Sequence, residues 1–145
     1  MGEKLIHIYT DGACRGNPGV GGWGALLECD GYKKEIKGSS QLTTNNIMEL
    51  KAVIEALKLI KNPSKIIVTT DSTYVKSGIT EWIYSWKEKG WKTANKKPVK
   101  NKALWIELDN VSQKHSIEWK WIKGHTGHFG NEKADDLAND AIDEL

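Results

Sequence analysis

Two apolar segments, Lys4-Leu-Ile-His-Ile-Tyr-Thr-Asp11 and Lys65-Ile-Ile-Val-Thr-Thr-Asp71, determine the fold that the sequence predicts. Both are rich in β-branched residues, which is typical of buried strands, and both finish with an aspartate. In an open α/β sheet, the carboxyl ends of neighbouring parallel strands meet at one edge, where ligands bind. The sequence therefore predicts that Asp11 and Asp71 lie side by side.

A pair of carboxylates at such an edge needs a proton or a cation between them. Two unit charges roughly 4 Å apart repel by about 4 kcal/mol at an effective dielectric near 20. The alternative is that each aspartate only caps the next element, because Thr-Asp-Gly and Thr-Asp-Ser are ordinary turn and cap sequences. Further acids along the chain favour the cation.

The size and composition are typical of one globular domain, residues 1–145. The chain has 145 residues, of which 39% are hydrophobic and 28% charged, and no apolar run approaches the ~20 residues of a membrane helix. The first strand follows Met1-Gly-Glu-Lys4 without an apolar signal segment, so we expect a cytoplasmic protein. Cys14 and Cys29 are too few for a disulfide framework and lack zinc-site spacing, which predicts two reduced thiols.

The charge is unevenly distributed although the net charge is only +2. Residues 87–102 contain seven lysines and one acid, whereas residues 132–145 contain six acids and one lysine. We call the segment at about 81–102 the basic protrusion. A basic protrusion beside an acidic pocket indicates a polyanionic substrate held by the first and a metal held by the second.

Hydrophobic periodicity and turn signals predict the order β-β-β-α-β-α-α-α-β-α, an α/β fold with a five-stranded mixed sheet flanked by helices. The glycine-rich segment Gly12–Gly24 is expected to be a tight loop. The main predicted elements are strands at 4–11, 22–29, 32–40, 65–71 and 117–122 and helices at 47–61 and 131–142.

Other acids can join the strand-end pair. Glu49 lies in the first turn of a predicted helix, and Asp135 and Asp136 lie in the last one. Such an all-oxygen set suits Mg²⁺ or Mn²⁺ and is wrong for zinc. His125 and His128 do not have the HExxH spacing of a zinc site.

Five segments in order resemble the bacterial type 1 ribonuclease H family. They are Tyr9-Thr-Asp-Gly-Ala-Cys-Arg-Gly-Asn-Pro-Gly19, Thr44-Asn-Asn-Ile-Met-Glu49, Thr70-Asp-Ser72, Trp121-Ile-Lys-Gly-His-Thr-Gly127 and Asn131-Glu-Lys-Ala-Asp135. The resemblance implies the ribonuclease H-like fold, with three antiparallel strands followed by two parallel ones. It also implies an endonuclease that cuts the RNA strand of RNA/DNA hybrids and leaves 5′-phosphate and 3′-hydroxyl ends. We expect a monomer.

The resemblance assigns the catalytic acids as Asp11, Glu49, Asp71 and Asp135. They would hold two Mg²⁺ ions, or Mn²⁺ as a substitute, roughly 4 Å apart in the working complex, with Asp11 bridging both. Asp136 is left as a solvated neighbour. His125 would relay a proton or help product release; its alternative is a loop histidine with no role.

The hybrid-binding residues are also implied by the resemblance. They are Cys14, Asn17, Thr44, Asn45, Asn46, Ser72, Trp82, Lys87, Lys96, Lys97, Lys100 and Trp105. The residues before position 80 would reach the hybrid backbone and the 2′-hydroxyl that separates RNA from DNA, and the others would grip the DNA strand. Where the family often has glutamine, this chain has Thr73.

Simpler interpretations of these residues remain open at this point. Asn45 and Asn46 could be only helix caps, and the lysine run could be a solvated loop. Trp86, Trp119 and Trp121 are expected to be packing residues. The chain could also be a nuclease of the same fold that acts on DNA junctions, or a hybrid-binding module without catalysis.

Overall fold

A computed structural model describes residues 5–123 and 128–145. Its strands are β1 (Leu5–Arg15), β2 (Gly19–Cys29), β3 (Tyr32–Thr43), β4 (Lys65–Thr70) and β5 (Ser116–Trp121). Its helices are α1 (Asn45–Lys58), α2 (Thr73–Ser77), α3 (Ile83–Glu88), α4 (Lys102–Ser112) and α5 (Phe129–Asp143), and a π-helical turn, Gly78–Trp82, joins α2 to α3. Within the described ranges, no helix is long and apolar enough to cross a membrane.

The five strands form one mixed sheet in the order β3-β2-β1-β4-β5. The first three strands in the chain pair antiparallel, whereas β4 pairs parallel with both β1 and β5. Parallel neighbours require crossover connections, and α1 lies between β3 and β4 in the chain for this purpose. The predicted α/β fold and its mixed sheet are therefore confirmed.

The first hairpin differs from its prediction. β1 does not end at Asp11 but continues to Arg15, and β2 begins at Gly19, so most of the expected loop at Gly12–Gly24 is strand. These glycines serve packing: a Cβ on Gly24 would lie 2.5 Å from the Ala134 carbonyl oxygen of α5. Glycine in β2 therefore lets α5 approach the sheet closely, which a loop interpretation does not anticipate.

The sheet carries helices on both faces. Ala25 belongs to the core formed with α1 and α4, whose buried members include Leu50, Ile54 and Leu108. Its neighbour Gly24 faces α5, and successive residues of a strand point to opposite faces. The sheet is thus sandwiched between α1 and α4 on one face and α5 on the other, and groups at its carboxyl edge can be reached from both.

The start of α1 lies two residues earlier than predicted. Thr44 is extended, with φ −127° and ψ 161°, and its hydroxyl accepts a hydrogen bond from the Ile47 amide at 3.2 Å. Thr44 is therefore the N-cap, and Asn45 and Asn46 are the first helical residues rather than caps. The helix ends at Lys58 instead of residue 61.

Candidate active site

The register of the two central parallel strands brings the first two acids together. Tyr9 of β1 pairs with Thr69 of β4, so Asp11 and Asp71 lie at the same level two residues further along. β4 ends at Thr70, which places Asp71 just past the strand, whereas Asp11 remains within β1. The expected juxtaposition is present, although only one of the two strands ends there.

The third acid enters from the first turns of α1. Glu49 is only 4% exposed, and its carboxylate accepts a hydrogen bond from the Gly12 amide. A Cβ on Gly12 would lie 2.6 Å from the Glu49 nitrogen. The glycine after Asp11 therefore allows α1 to approach β1 closely enough to seat Glu49 beside Asp11.

The carboxyl groups form one cluster. Oxygen atoms of Asp11, Glu49 and Asp71 all lie within 4.8 Å of one another. Asp135, on α5, is near enough to Asp11 to contribute to the raised pKa of its carboxyl. The side-chain amide of Asn139 donates to the Asp135 carbonyl at 3.1 Å and to the Asp135 carboxylate at 3.3 Å. Four acids from four elements thus meet around Asp11.

Burial makes this cluster unfavourable when it is fully ionised. Desolvation raises the pKa of Asp11 well above its usual range, and the charges of Glu49 and Asp71 raise it further. Desolvation also raises the pKa of Glu49, while hydrogen bonds from Asp11 and the Gly12 amide oppose that rise. Without a cation, the Asp11–Glu49 pair therefore keeps a proton at neutral pH.

The donor set fits a hard divalent cation. Carboxylate oxygens are the ligands that Mg²⁺ and Mn²⁺ prefer, and the described members of the cluster include no thiolate or imidazole. A cation would replace the shared proton and relieve the mutual repulsion of the buried carboxylates. Asp11, Glu49 and Asp71, with Asp135 beside them, are the residues that could hold it.

The four acids line an open cleft of about 510 Å³. Its other lining residues are uncharged: two small residues, several polar ones and one tyrosine. The complete lining is Asp11, Gly12, Ala13, Cys14, Asn45, Asn46, Glu49, Asp71, Ser72, Thr73, Tyr74 and Asp135. The cleft therefore combines one strongly acidic wall with groups that can both donate and accept hydrogen bonds.

Several of the predicted hybrid-binding residues on the cleft side already have protein partners. The Thr44 hydroxyl caps α1, and the Ser72 hydroxyl caps α2 by accepting from the Val75 amide at 3.1 Å. The Cys14 thiol donates to the Gly16 carbonyl at 2.8 Å. The Asn17 carboxamide oxygen accepts a hydrogen bond from the backbone N–H of Asn45 at 3.1 Å, so these two residues lie together at the rim of the cleft.

The basic protrusion presents an uneven surface. Lys96, Lys97 and Lys100 are exposed, and the Trp82 side chain is 41% exposed. Lys87 forms an ion pair with Asp109 of α4, with 3.2 Å between Nζ and Oδ2. Its ammonium group is therefore already engaged, whereas the three loop lysines face solvent.

Two predictions about tryptophans are wrong. Trp105, expected to contact the hybrid, is 0% exposed and belongs to the core because α4 directs it beneath α2 and the π-helical turn. Trp121, expected to be a packing residue, is 40% exposed, and its indole donates to the Asp71 carbonyl at 3.1 Å. Helical and strand periodicity could not separate these cases, because tryptophan occurs both in cores and at surfaces.

His125 lies outside the described residues, so its role stays a prediction. Sequence reasoning missed three residues around the acids: Tyr74, Trp121 and Asn139. A signal existed for Asn139, which follows Asp135 by four residues on one helix and so faces it. Tyr74 carried no comparable signal, since its partners come from α4 and the preceding loop.

The chain is similar to known proteins over nearly its whole length. The family model described as RNase H matches residues 3–143. A ribonuclease H of Hydrogenovibrio crunogenus is 59% identical over 140 residues, covering 97% of each chain. A ribonuclease H of Francisella tularensis subsp. novicida is 59% identical over 143 residues, covering 99% of this chain and 94% of the relative.

Solved structures show the same fold. LC9-RNase H1, a type 1 RNase H with the type 2 active-site motif, superposes with a TM-score of 0.90 at 35% identity, covering 99% of this chain and 74% of that one. LC11-RNase H1, solved in complex with an RNA/DNA hybrid, gives a TM-score of 0.66 at 28% identity, covering 96% of this chain and 97% of that one.

The raised pKa values of the acid cluster predict how the metal-free protein responds to pH. Because folding raises the pKa of Asp11 and Glu49, their contribution to stability is complete below about pH 4, the unfolded range, and is lost as the pH rises through the folded values. We expect the melting temperature in EDTA to fall from pH 5 to pH 9. Asp11→Asn should flatten this fall and raise the melting temperature at pH 8 by about 3–8 °C.

The matched control is Asp136→Asn, because Asp136 is the exposed neighbour on α5. It should leave the pH profile unchanged in EDTA. Adding Mg²⁺ should stabilise the wild type more than Asp11→Asn, as measured by thermal unfolding followed by circular dichroism. A lower melting temperature for Asp11→Asn than for the wild type at pH 8 in EDTA would contradict the repulsive cluster.

Proposed function

This chain belongs to the ribonuclease H family of RNA/DNA-hybrid endoribonucleases, and we propose that it hydrolyses the RNA strand of such hybrids by two-metal-ion catalysis. The products would carry 5′-phosphate and 3′-hydroxyl ends. The observation that carries the proposal is the cluster of buried acids at the sheet edge, where three carboxylates lie within 4.8 Å of one another.

The proposed metal ligands are Asp11, Glu49, Asp71 and Asp135, and the proposed cofactor is two Mg²⁺ ions, with Mn²⁺ as a possible substitute. When bound, divalent ions supply an activated water and neutralise charge on the departing 3′ oxygen. Asp11 is the proposed bridging ligand because Glu49 and Asp135 both raise the pKa of its carboxyl. The Gly12 amide orients Glu49, and Asn139 orients Asp135.

The catalytic role of His125 remains part of the proposal on sequence grounds alone. Its motif, Lys123-Gly-His-Thr-Gly127, precedes the helix that carries Asp135. An imidazole titrates near neutral pH and can exchange a proton with a reaction centre nearby. We propose that it relays a proton or assists product release.

The neutral wall of the cleft is the proposed reader of the RNA strand. Asn45 and Asn46 line the cleft beside Glu49 without serving as the helix cap. Their amides can donate and accept, which matches a 2′-hydroxyl. Cys14, Asn17, Thr44 and Ser72 are proposed to contribute to the hybrid site at its rim, largely through backbone groups, since their side chains have protein partners.

The basic protrusion is the proposed grip on the DNA strand. Lys96, Lys97 and Lys100 are exposed and can neutralise phosphates without reading sequence. Trp82 offers an exposed aromatic face for a sugar. Lys87 would act only after leaving Asp109, so we propose a minor role for it.

We further propose that residues 1–145 act as one catalytic domain and as a monomer in the cytoplasm. Both cysteines, Cys14 and Cys29, are free thiols, which is compatible with a reducing compartment. Sedimentation of the purified chain tests the monomer directly.

The proposed activity predicts selective cleavage of one strand. With Mg²⁺, the protein should cut the RNA strand of a labelled hybrid and spare single-stranded RNA and duplex DNA, as measured on denaturing gels. End analysis should show 5′-phosphates. Equal cutting of duplex or branched DNA would support a nuclease of another substrate class, and hybrid binding without cleavage in Mg²⁺ or Mn²⁺ would support a binding module.

The proposed ligand role of Asp11 predicts a separation of turnover from binding. Asp11→Asn should lower kcat about a thousandfold or more, because several kcal/mol of charge stabilisation depend on the ligand. Hybrid affinity, measured by fluorescence anisotropy without metal, should stay near that of the wild type because the lysines are intact. Asp136→Asn is the control and should retain activity; a near-normal rate for Asp11→Asn would refute the assignment.

The proposed grip predicts a change in salt dependence. Replacing Lys96, Lys97 and Lys100 together by alanine should raise KM and reduce the slope of log KM against log salt by about 0.9 for each phosphate that the variant no longer neutralises. The control removes three lysines elsewhere, Lys34, Lys61 and Lys114. If both triple variants gave the same slope, the loop lysines would be only solvated surface.

A further inference from the structure

We propose that Tyr74 is a positioning residue that fixes the basic protrusion relative to the acid cluster. The inference rests on the proposed function, since it concerns how the two parts engage one hybrid. Tyr74 lies in the first turn of α2, three residues after Asp71, and lines the acidic cleft. Its side chain therefore borders the cleft, while its hydroxyl contacts the segment that joins the lysine-rich loop to α4.

The Tyr74 hydroxyl receives two hydrogen bonds from that segment. The Asn101 amide nitrogen donates at 3.1 Å and the Trp105 indole nitrogen donates at 3.0 Å. Asn101 ends the lysine-rich loop, and Trp105 belongs to the first turn of α4. One oxygen atom thus anchors the point at which the basic loop returns to the body of the protein.

The backbone conformation of Asn101 indicates that its side chain is placed for the hydrogen bond to Tyr74. Asn101 has φ +60° and ψ +30°, a left-handed conformation that costs energy in a residue with a side chain. It precedes α4 at the N-cap position, yet its side chain makes no cap hydrogen bond. The amide is used for Tyr74 instead of for the helix, which is the usual partner of asparagine at this position.

The Tyr74 ring reaches the other end of the protrusion. Its centroid lies 6.0 Å from that of Trp82 in an edge-to-face arrangement and 5.2 Å from that of Trp105. Trp86 bridges the same two tryptophans, at 5.9 Å from Trp82 and 5.3 Å from Trp105. Tyr74 therefore contacts the proposed aromatic grip, Trp82, and the return of the lysine loop, Asn101, simultaneously.

Packing beneath Tyr74 leaves little freedom for this arrangement. A Cβ on Gly78 would overlap the Trp105 ring, so the π-helical turn can pass over the tryptophan only with glycine there. Trp105 is fully buried, and its indole N–H has the Tyr74 hydroxyl as its partner. Removing the hydroxyl leaves a buried donor unpaired, and this cost favours a shift of α4 or of the loop.

The consequence is that Tyr74 sets the distance between the acid cluster and the lysines of the basic protrusion, which one hybrid has to span. Asp71 and Ser72 also line the cleft and directly precede α2, the helix that carries Tyr74. A shift of the protrusion would leave the acids in place but misalign the lysines with the phosphates. Loss of the hydroxyl should therefore weaken hybrid binding while the chemical step is preserved.

The test is Tyr74→Phe in the full chain, assayed on a labelled hybrid with Mg²⁺ at several salt concentrations. We expect KM to rise about three- to tenfold, the range expected when one neutral hydrogen bond is removed, with kcat within twofold of wild type. The slope of log KM against log salt should also become shallower, because fewer phosphates are engaged. Asn101→Gly, which keeps the left-handed backbone but lacks the amide, should give the same changes.

Tyr32→Phe is the matched control, because Tyr32 is 81% exposed at the start of β3 and should change none of these values. A fall in kcat alone, or an unchanged KM and salt slope in Tyr74→Phe, would overturn the positioning role and indicate a purely structural one. Hybrid affinity measured in EDTA keeps the two proposals apart. If the wild type binds the hybrid in EDTA but does not cut it when Mg²⁺ or Mn²⁺ is added, the proposed function fails. A weaker affinity of Tyr74→Phe in EDTA would still support the anchor.

Discussion

The repulsion between buried carboxyl groups at the carboxyl edge of the sheet is the constraint on which this structure depends. Asp11 and Glu49 are 5% and 4% exposed, so water screens their charges only weakly, and Asp71 lies close to both. Such a cluster is stable only if a proton or a cation compensates it. The fold holds it together through the register of β1 and β4 and through the close approach of α1 at Gly12.

This constraint explains why the rest of the chain is so firmly packed around the site. The side chains that support the acids are themselves fixed: Thr44 and Ser72 cap helices, and Asn139 holds Asp135. Glycine in β2 lets α5, which carries Asp135, lie directly on the sheet. The stability gained from packing offsets an unfavourable cluster whose benefit appears only when a ligand is bound.

The sheet and the Asp11–Asp71 pair could be predicted from local, repeated signals in the sequence, whereas the choice of Asp135 over Asp136 came from the resemblance to the ribonuclease H family. Each of the two apolar segments finishes with an aspartate, and this was enough to predict that Asp11 and Asp71 meet. The end of β1 was misplaced because a glycine run favours a loop locally, whereas here it permits close packing by a helix distant in sequence. The prediction for Trp105 was wrong because its burial also depends on residues distant in sequence, Gly78 and Tyr74, and not only on its neighbours in the chain.

Substrate selection, on the proposed function, must come from groups other than the acids. A cluster of carboxylates with cations can engage any phosphodiester, so it does not by itself distinguish RNA from DNA. A 2′-hydroxyl is recognised by neutral groups that both donate and accept, and Asn45 and Asn46 supply these next to Glu49. Recognition and catalysis then meet at the start of α1. A small shift of this helix against Gly12 would affect both, which is why the close contact at that glycine matters beyond stability.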